Sequence, residues 1–376
     1  MKCIKSTAKN DNFIFPSEGE KHLATIILLP YRIDTWRLKA KPAIKNYLEI
    51  IKAISKYETV YVGIDKSVFE LYLPMFTSLS NVKVLKVSYD DAWARDNTPI
   101  FLKKDNQVRA VNFSFNAWGG TFDGLYDSWE KDEALDLELC KLLDIDYYSS
   151  GDFILEGGSI NTNGEKTLIT TKACLLSQGR NKDLSIDEIT TKLKELLNID
   201  KVIWLNNGIY LDETNEHVDN ICAFADANTV LLSFPIDESD IQYQYSLDAL
   251  NVLENSTTAK NEKIKVIKVP APTVQYMTSE ETETLENAGS AIAREKGRRL
   301  AASYVNFYQG KDFIILPKFN CPEDKLALDI FKDTFPNKEI IQIYSREILL
   351  GGGNIHCITK EIPYIEKMED VLWKLK

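Results

Sequence analysis

The chain has 376 residues, of which 44% are hydrophobic and 27% charged, a balance that fits a globular protein with a large core and excludes a disordered one. A formal net charge of -11 repels a phosphate backbone, so nucleic acid is not expected as a partner and a small cation is favoured as ligand. Six cysteines scattered without a CxxC pair exclude a zinc ribbon or a disulfide scaffold and fit reduced thiols.

Along the chain one unit recurs: an amphipathic helix, a strand, a polar motif, another strand. Apolar residues at Ile44, Tyr47, Leu48, Ile51 and Ile54 predict a helix over 42–57. Strands follow at 59–64 and 82–87, then the motif Asp90-Asp91-Ala92-Trp93-Ala94-Arg95-Asp96, then a strand at 99–102. The second unit has a helix over 132–143, a strand at 153–155 running into Glu156-Gly157-Gly158-Ser159, and a strand at 167–170. The third has a helix over 185–197, a strand at 202–205, the motif Glu216-His217-Val218-Asp219-Asn220 and a strand at 230–234. The fourth has a helix over 244–254, a strand at 264–269, and Ala302-Ser303-Tyr304-Val305-Asn306 before a strand at 313–316. The fifth has a helix over 325–335, a strand at 340–343, and Gly351-Gly352-Gly353-Asn354-Ile355-His356-Cys357. A polar, Glu-rich insertion at 278–287 interrupts the fourth unit.

Asp96, Glu156 and His217 recur roughly 60 residues apart, and Cys357 comes about 50 after Asn306, at equivalent places in their units. Such self-similarity predicts an α/β fold of five units around one pseudo-axis, a single domain over 1–376, with the motifs converging at its centre. A generic doubly wound α/β sheet has a similar local pattern and is the alternative. No stretch approaches the about 20 apolar residues of a membrane span, and residues 1–12 lack an apolar signal core, so the expected compartment is the cytoplasm.

The chain has three histidines. His22, at the edge of the first apolar strand, reads as a surface or satisfied core residue. His356 and Cys357 read as strand neighbours facing opposite ways, which makes His356 a poor base for that thiol. His217 is the better proton-transfer group, and Asp219, two residues on, faces the same way in an extended segment. Cys357 after three glycines reads as a nucleophile at a tight pocket, against the alternative of an ordinary buried cysteine. Trp93 and Trp118 could be core or could offer stacking faces to a cationic ligand. Asp96, Glu156 and Asp219 beside a thiol argue against acyl transfer, where an oxyanion needs donors. They suit a guanidinium, which pairs bidentately with carboxylates. The ligand spacing matches no usual zinc pattern, so neither metal nor cofactor is expected.

Taken together, Pro30-Tyr31-Arg32 with Trp36-Arg37, the Asp90–Asp96 run, Asn116-Ala117-Trp118-Gly119-Gly120, Leu155-Glu156-Gly157-Gly158-Ser159, Asp212-Glu213-Thr214, His217-Val218-Asp219-Asn220, the 298–308 run and Gly351-Gly352-Gly353-Asn354-Ile355-His356-Cys357-Ile358-Thr359 resemble the agmatine deiminases. More broadly they resemble the guanidino-group-modifying enzymes of the five-bladed α/β-propeller, or pentein, fold. The resemblance spans nearly the whole chain. It implies Cys357 as nucleophile, His217 as acid/base, Asp96 and Asp219 as grips on the guanidinium nitrogens, and Glu156 beside His217. It departs from the family pattern at Ala94, between Trp93 and Arg95, and at Asn97-Thr98 before Pro99. Agmatine carries a terminal ammonium in place of an α-carboxylate, and the anion favoured for that tail is Glu213. A deiminase acting on peptidyl-arginine, an amidinotransferase and a polyamine-binding protein on the same fold are the competing readings. Arg95 is expected to be structural, and a homo-oligomer is left open.

Overall fold

The computed structural model describes residues 1–286 and 291–366. Five mixed sheets of three or four strands follow one plan. In each, a short leading strand pairs antiparallel with a central strand, which pairs parallel with a third. In the second unit these are Ile100–Lys104, Gln107–Ser114 and Asp146–Ile154. The next has Ile160–Thr162, Thr167–Thr171 and Lys201–Leu205. Cys222–Phe224, Thr229–Phe234 and Lys265–Pro270 follow, then Tyr308–Gln309, Phe313–Lys318 and Glu339–Tyr344. The remaining sheet joins distant parts of the chain. Its leading strand, Lys360–Pro363, pairs antiparallel with His22–Leu28, which runs parallel to Thr59–Asp65 and through it to Val82–Val87.

A parallel neighbour can be reached only by a crossover of a dozen or more residues, so each sheet carries a helix between its central and third strands. These are Lys41–Ile54, Glu130–Leu142, Ile186–Leu197, Ile241–Glu254 and Glu323–Thr334. Ile186–Leu197 starts at a capping box, Ser185 with Glu188, and buries Ile189, Leu193, Leu196 and Leu197 on one face. The central strands Thr167–Thr171 and Thr229–Phe234 are buried along their whole length, as strands covered on both faces are, and neither shows a simple apolar–polar alternation.

The site motifs sit a few residues ahead of the leading strands: Asp96 before Ile100, Glu156 before Ile160, His217 and Asp219 before Cys222, Asn306 before Tyr308, and Cys357 before Lys360. Two sequence expectations need correcting here. The strand expected at 153–155 is the end of Asp146–Ile154, the third strand of the preceding sheet. His356 and Cys357 lie on no strand. The backbone turns through 354–359, where the Thr359 hydroxyl donates to the carbonyls of Ile355 and His356. The insertion forms a one-turn helix, Ser279–Glu283, capped by Thr278 and Glu281 and tied to Arg346 through Glu281. Its last expected residue, Asn287, lies outside the described residues. Among the described residues no helix is long and apolar enough to cross a membrane.

Candidate active site

The motif ends converge on one buried cluster. Cys357 Sγ lies 3.6 Å from Asp219 Oδ2 and 3.5 Å from Asn306 Oδ1, and the Asn306 side-chain amide donates to the sulfur at 3.3 Å. His217 caps the short helix Val218–Ile221, so His217 and Asp219 are not the extended pair that the sequence suggested. Asp212 builds this corner by accepting from the backbone N–H of His217 and Thr214 and from the side chains of Thr214 and Asn220. Burial pushes its pKa up to about 6.

The His217 ring lies between two carboxylates without a close bond to either. Nδ1 is 3.9 Å from Asp96 Oδ2 and Nε2 is 3.8 Å from Glu156 Oε2. Asp96 is aimed by the Gly158 N–H at 2.8 Å and the Trp118 indole N–H at 2.9 Å. Glu156 meets the wholly buried Arg180 guanidinium at 2.6 Å. Arg180 also donates to the carbonyls of Trp118 and Thr214. Gly158 is required by close approach, because a Cβ there would lie 2.6 Å from His217 Nδ1 and 2.9 Å from both Asp96 Oδ1 and Asp219 Oδ2. Gly353 has a matching role, since its Cβ would lie 2.5 Å from the Trp93 ring and 3.1 Å from Cys357 Sγ. Trp93 is thus a wall beside the thiol, stacked on Trp36 at 5.1 Å, with both indoles donating to Asp91.

The electrostatics are those of an anionic pocket. Burial, then the charges of Asp219 and Asp96, pushes the Cys357 thiol well up, so the free site favours the neutral thiol. Burial opposes a charged His217, but Asp96, Cys174 and Glu156 outweigh it and lift its pKa well above the usual value. Burial also raises Asp96, helped by its anionic neighbours. In Asp219 and Glu156 burial is overcome by His356 and Arg180 respectively, and both carboxyls lie below the ordinary range.

The sequence reading missed His356 as a participant. Its Nδ1 bonds Asp219 Oδ2 at 2.8 Å, the same oxygen that faces Cys357, because the turn sends both side chains to one side. Its Nε2 bonds Glu18 at 2.9 Å, a residue 338 positions away, and nothing in local sequence could announce that contact. Arg180 and Cys174 carried no signal either. His22 is a satisfied core residue, bonded to Tyr308, Glu58 and the Glu18 carbonyl. Arg95 is buried between Glu18 and Glu361, as a structural residue would be. Glu213 is fully engaged, by Arg294 at 2.7 Å and by the more exposed Arg298 at 3.1 Å. One grouping has metal-ligand character: donor atoms of Glu156, Cys174 and His217 lie within 4.8 Å of one another. The Arg180 cation at Glu156 already supplies positive charge there.

Comparison with known proteins agrees with this geometry. The profile of the Porphyromonas-type peptidyl-arginine deiminases matches residues 14–363, and the chain belongs to that family. It is 44% identical to a Listeria monocytogenes protein that carries the agmatine deiminase name provisionally, covering 96% of this chain and 100% of that one. Agmatine deiminase of Pseudomonas aeruginosa is 42% identical, covering 95% of this chain and 97% of the relative. Among solved structures, the agmatine deiminase of Enterococcus faecalis superposes with a TM-score of 0.93 at 36% identity, over 96% of this chain and 99% of that chain. A substrate-bound cysteine-to-serine agmatine deiminase of C. jejuni gives a TM-score of 0.80 at 28% identity, over 94% of this chain and 97% of that chain.

Proposed function

We propose that the protein hydrolyses agmatine to N-carbamoylputrescine and ammonia, as a step of polyamine metabolism in the cytoplasm. The observation that carries the reading is the cluster itself: a thiol and an imidazole surrounded by buried Asp96, Glu156 and Asp219, with Asp219 Oδ1 lacking a hydrogen-bond partner among the described residues. A guanidinium supplies both the charge and the N–H donors such a pocket lacks. The names of the relatives support the choice of agmatine.

Asp96 and Asp219 align the guanidinium carbon with Cys357 Sγ. The bound cation offsets the carboxylates that oppose ionisation, the thiol releases its proton to solvent, and the thiolate attacks. His217 protonates the departing nitrogen, ammonia leaves, and an S-alkylthiouronium remains on Cys357. His217 then takes a proton from water, which attacks the same carbon. The C–S bond breaks, and the ureido product leaves with the thiol restored. Glu156 stands beside the His217 ring as its counter-charge, and Trp93 and Trp118 wall the substrate. Glu213 receives the tail ammonium in exchange for Arg298, the outer of its two arginines. The five sheets are arranged as blades around a pseudo-axis in one catalytic domain, a reading supported by their common strand plan and by the Lys360–Pro363 strand that joins the fifth unit to the first.

The family's name favours protein-bound arginine as a second reading. Cys357 is only 5% exposed, however, and Arg294 closes over the glycine run by donating to the Gly351 carbonyl at 2.7 Å, so the site suits a small free substrate better. The test is ammonia release from agmatine, free arginine and a blocked arginine peptide, with Cys357→Ala as control and an added amine acceptor to reveal amidino transfer. Release from agmatine alone, lost in the variant, is expected. Release mainly from arginine or the peptide, or amidino transfer to the amine, overturns the reading.

A further inference from the structure

Glu18 lies ahead of the strand His22–Leu28, outside every motif the sequence offers. Its two oxygens meet His356 Nε2 at 2.9 and 3.0 Å, while His356 Nδ1 reaches Asp219 Oδ2 at 2.8 Å. The side chains of Glu18, His356 and Asp219 are 14%, 4% and 2% exposed. Arg95 packs against Glu18 at 3.3 Å and against Glu361 at 2.8 Å, which keeps the Glu18 carboxylate in register. At the other end of the line, Asp219 Oδ2 faces the thiol and Oδ1 is buried without a hydrogen-bond partner among the described residues.

A carboxylate turns easily about its last torsion, which is broad and two-fold. With a bare buried oxygen, Asp219 has reason to turn, because an unmet acceptor is unfavourable and Asn306 offers a donor nearby. His356 blocks that rotation by holding Oδ2. An imidazole tied at one nitrogen can itself swing, and only the second bond, to Glu18, fixes the ring. Burial and Arg95 both oppose charge on His356, and Glu18 and Asp219 overcome them, consistent with a ring that donates at both nitrogens.

We propose that Glu18, acting through His356, is the positioning residue that aims the bare oxygen of Asp219 at the substrate guanidinium. This rests on the reading of the site as an agmatine site. Its effect falls on binding, because neither Glu18 nor His356 exchanges a proton with the reacting atoms.

The test is a double-mutant cycle on agmatine affinity, measured by calorimetry in a Cys357→Ser background so that no turnover occurs. Glu18→Gln is expected to weaken binding about tenfold and Asp219→Asn more, and the double variant is expected to match Asp219→Asn within about twofold, the non-additivity of coupled residues. Glu20→Gln, in the same segment but paired with Lys103, is expected to keep the parent affinity. Should Glu18→Gln not fold, as judged by near-UV dichroism, His356→Gln replaces it in the cycle with the same expectation. A Glu18 effect of equal size with and without Asp219, or no effect at all, overturns the inference while leaving the agmatine reading intact. Failure of the Cys357→Ser parent to bind agmatine overturns both.

Discussion

Two buried histidines sit between pairs of carboxylates, and they are built for opposite purposes. His217 stands 3.9 Å from Asp96 and 3.8 Å from Glu156, with Nε2 lacking a hydrogen-bond partner among the described residues. His356 is bonded at 2.8 Å to Asp219 and 2.9 Å to Glu18. The same residue types at about one ångström's difference in separation give a ring that can exchange protons and a ring that is tied down. In the proposed mechanism the histidine that moves protons is the one with loose contacts. A histidine satisfied at both nitrogens has no lone pair or proton to spare.

The sharpest way to break this contrast is to remove each ring in turn. Loss of the nucleophile in Cys357→Ala is expected to abolish ammonia release, and His217→Gln to lower kcat by about 10²–10⁴. His356→Gln is expected to show the reverse: about 3 kcal/mol lost from stability, because Glu18 and Asp219 lose a buried counter-charge, with kcat within about tenfold of the parent and a raised KM. Denaturant titration and steady-state kinetics on both variants decide it. Equal kcat losses would erase the distinction.

Arg180→Met strips the cation from Glu156 and is expected to lose about 3–5 kcal/mol, as for a buried pair with one partner removed. It also lifts the Glu156 pKa, so the acidic limb of the kcat/KM profile should move upward in pH. An unmoved limb would mean that Arg180 serves packing alone.

Acid stability gives a broader check. Glu18, Glu156 and Asp219 all have folded pKa values below their unfolded ones. Their stabilisation is therefore present above the ordinary carboxylate pKa of about 4 and is lost as pH falls through the lower folded values. Melting temperature should drop steeply below about pH 4, less so in Glu18→Gln. For the thiol the sign is opposite. Its raised pKa predicts slow alkylation of Cys357 by iodoacetamide at neutral pH, rising only well above the pH at which a free thiol ionises, and faster when a guanidinium compound occupies the site. The smallest expected effect is Glu213→Gln, about a tenfold rise in KM for agmatine from the loss of one charge contact, without change in kcat.

The crossover helices and central strands were legible in the sequence because amphipathic spacing and buried apolar runs are local signals. The leading strands were not. Ile160–Thr162 has 3 residues and Tyr308–Gln309 has 2, too few for any period, and they exist because a central strand waits beside them. Asp96, Glu156, His217, Asp219 and Cys357 were readable as a set because each lies in a polar motif at an equivalent place in its unit, and the structure brings them into one cluster. Trp93 lines the cluster beside the thiol, while Trp118 aims Asp96 with its indole N–H. Glu213 was readable as an acidic residue, but its two arginines were not, since Arg294 lies 81 positions away. Glu18 and His356 escaped notice because the turn at 354–359 reverses the facing that a strand would impose, and because Glu18 acts wholly across the fold.

The strand Lys360–Pro363 lies on His22–Leu28 and brings Cys357 with it. During synthesis the carboxylates and His217 leave the ribosome well before the nucleophile, and the segment bearing Glu18 must wait for the sheet edge that completes its surroundings. The thiol therefore meets its anionic neighbours only when the early and late parts of the chain have joined. A partly made or truncated polypeptide lacks both the sulfur and the His356 tie to Asp219, so the chemistry starts only in a finished molecule.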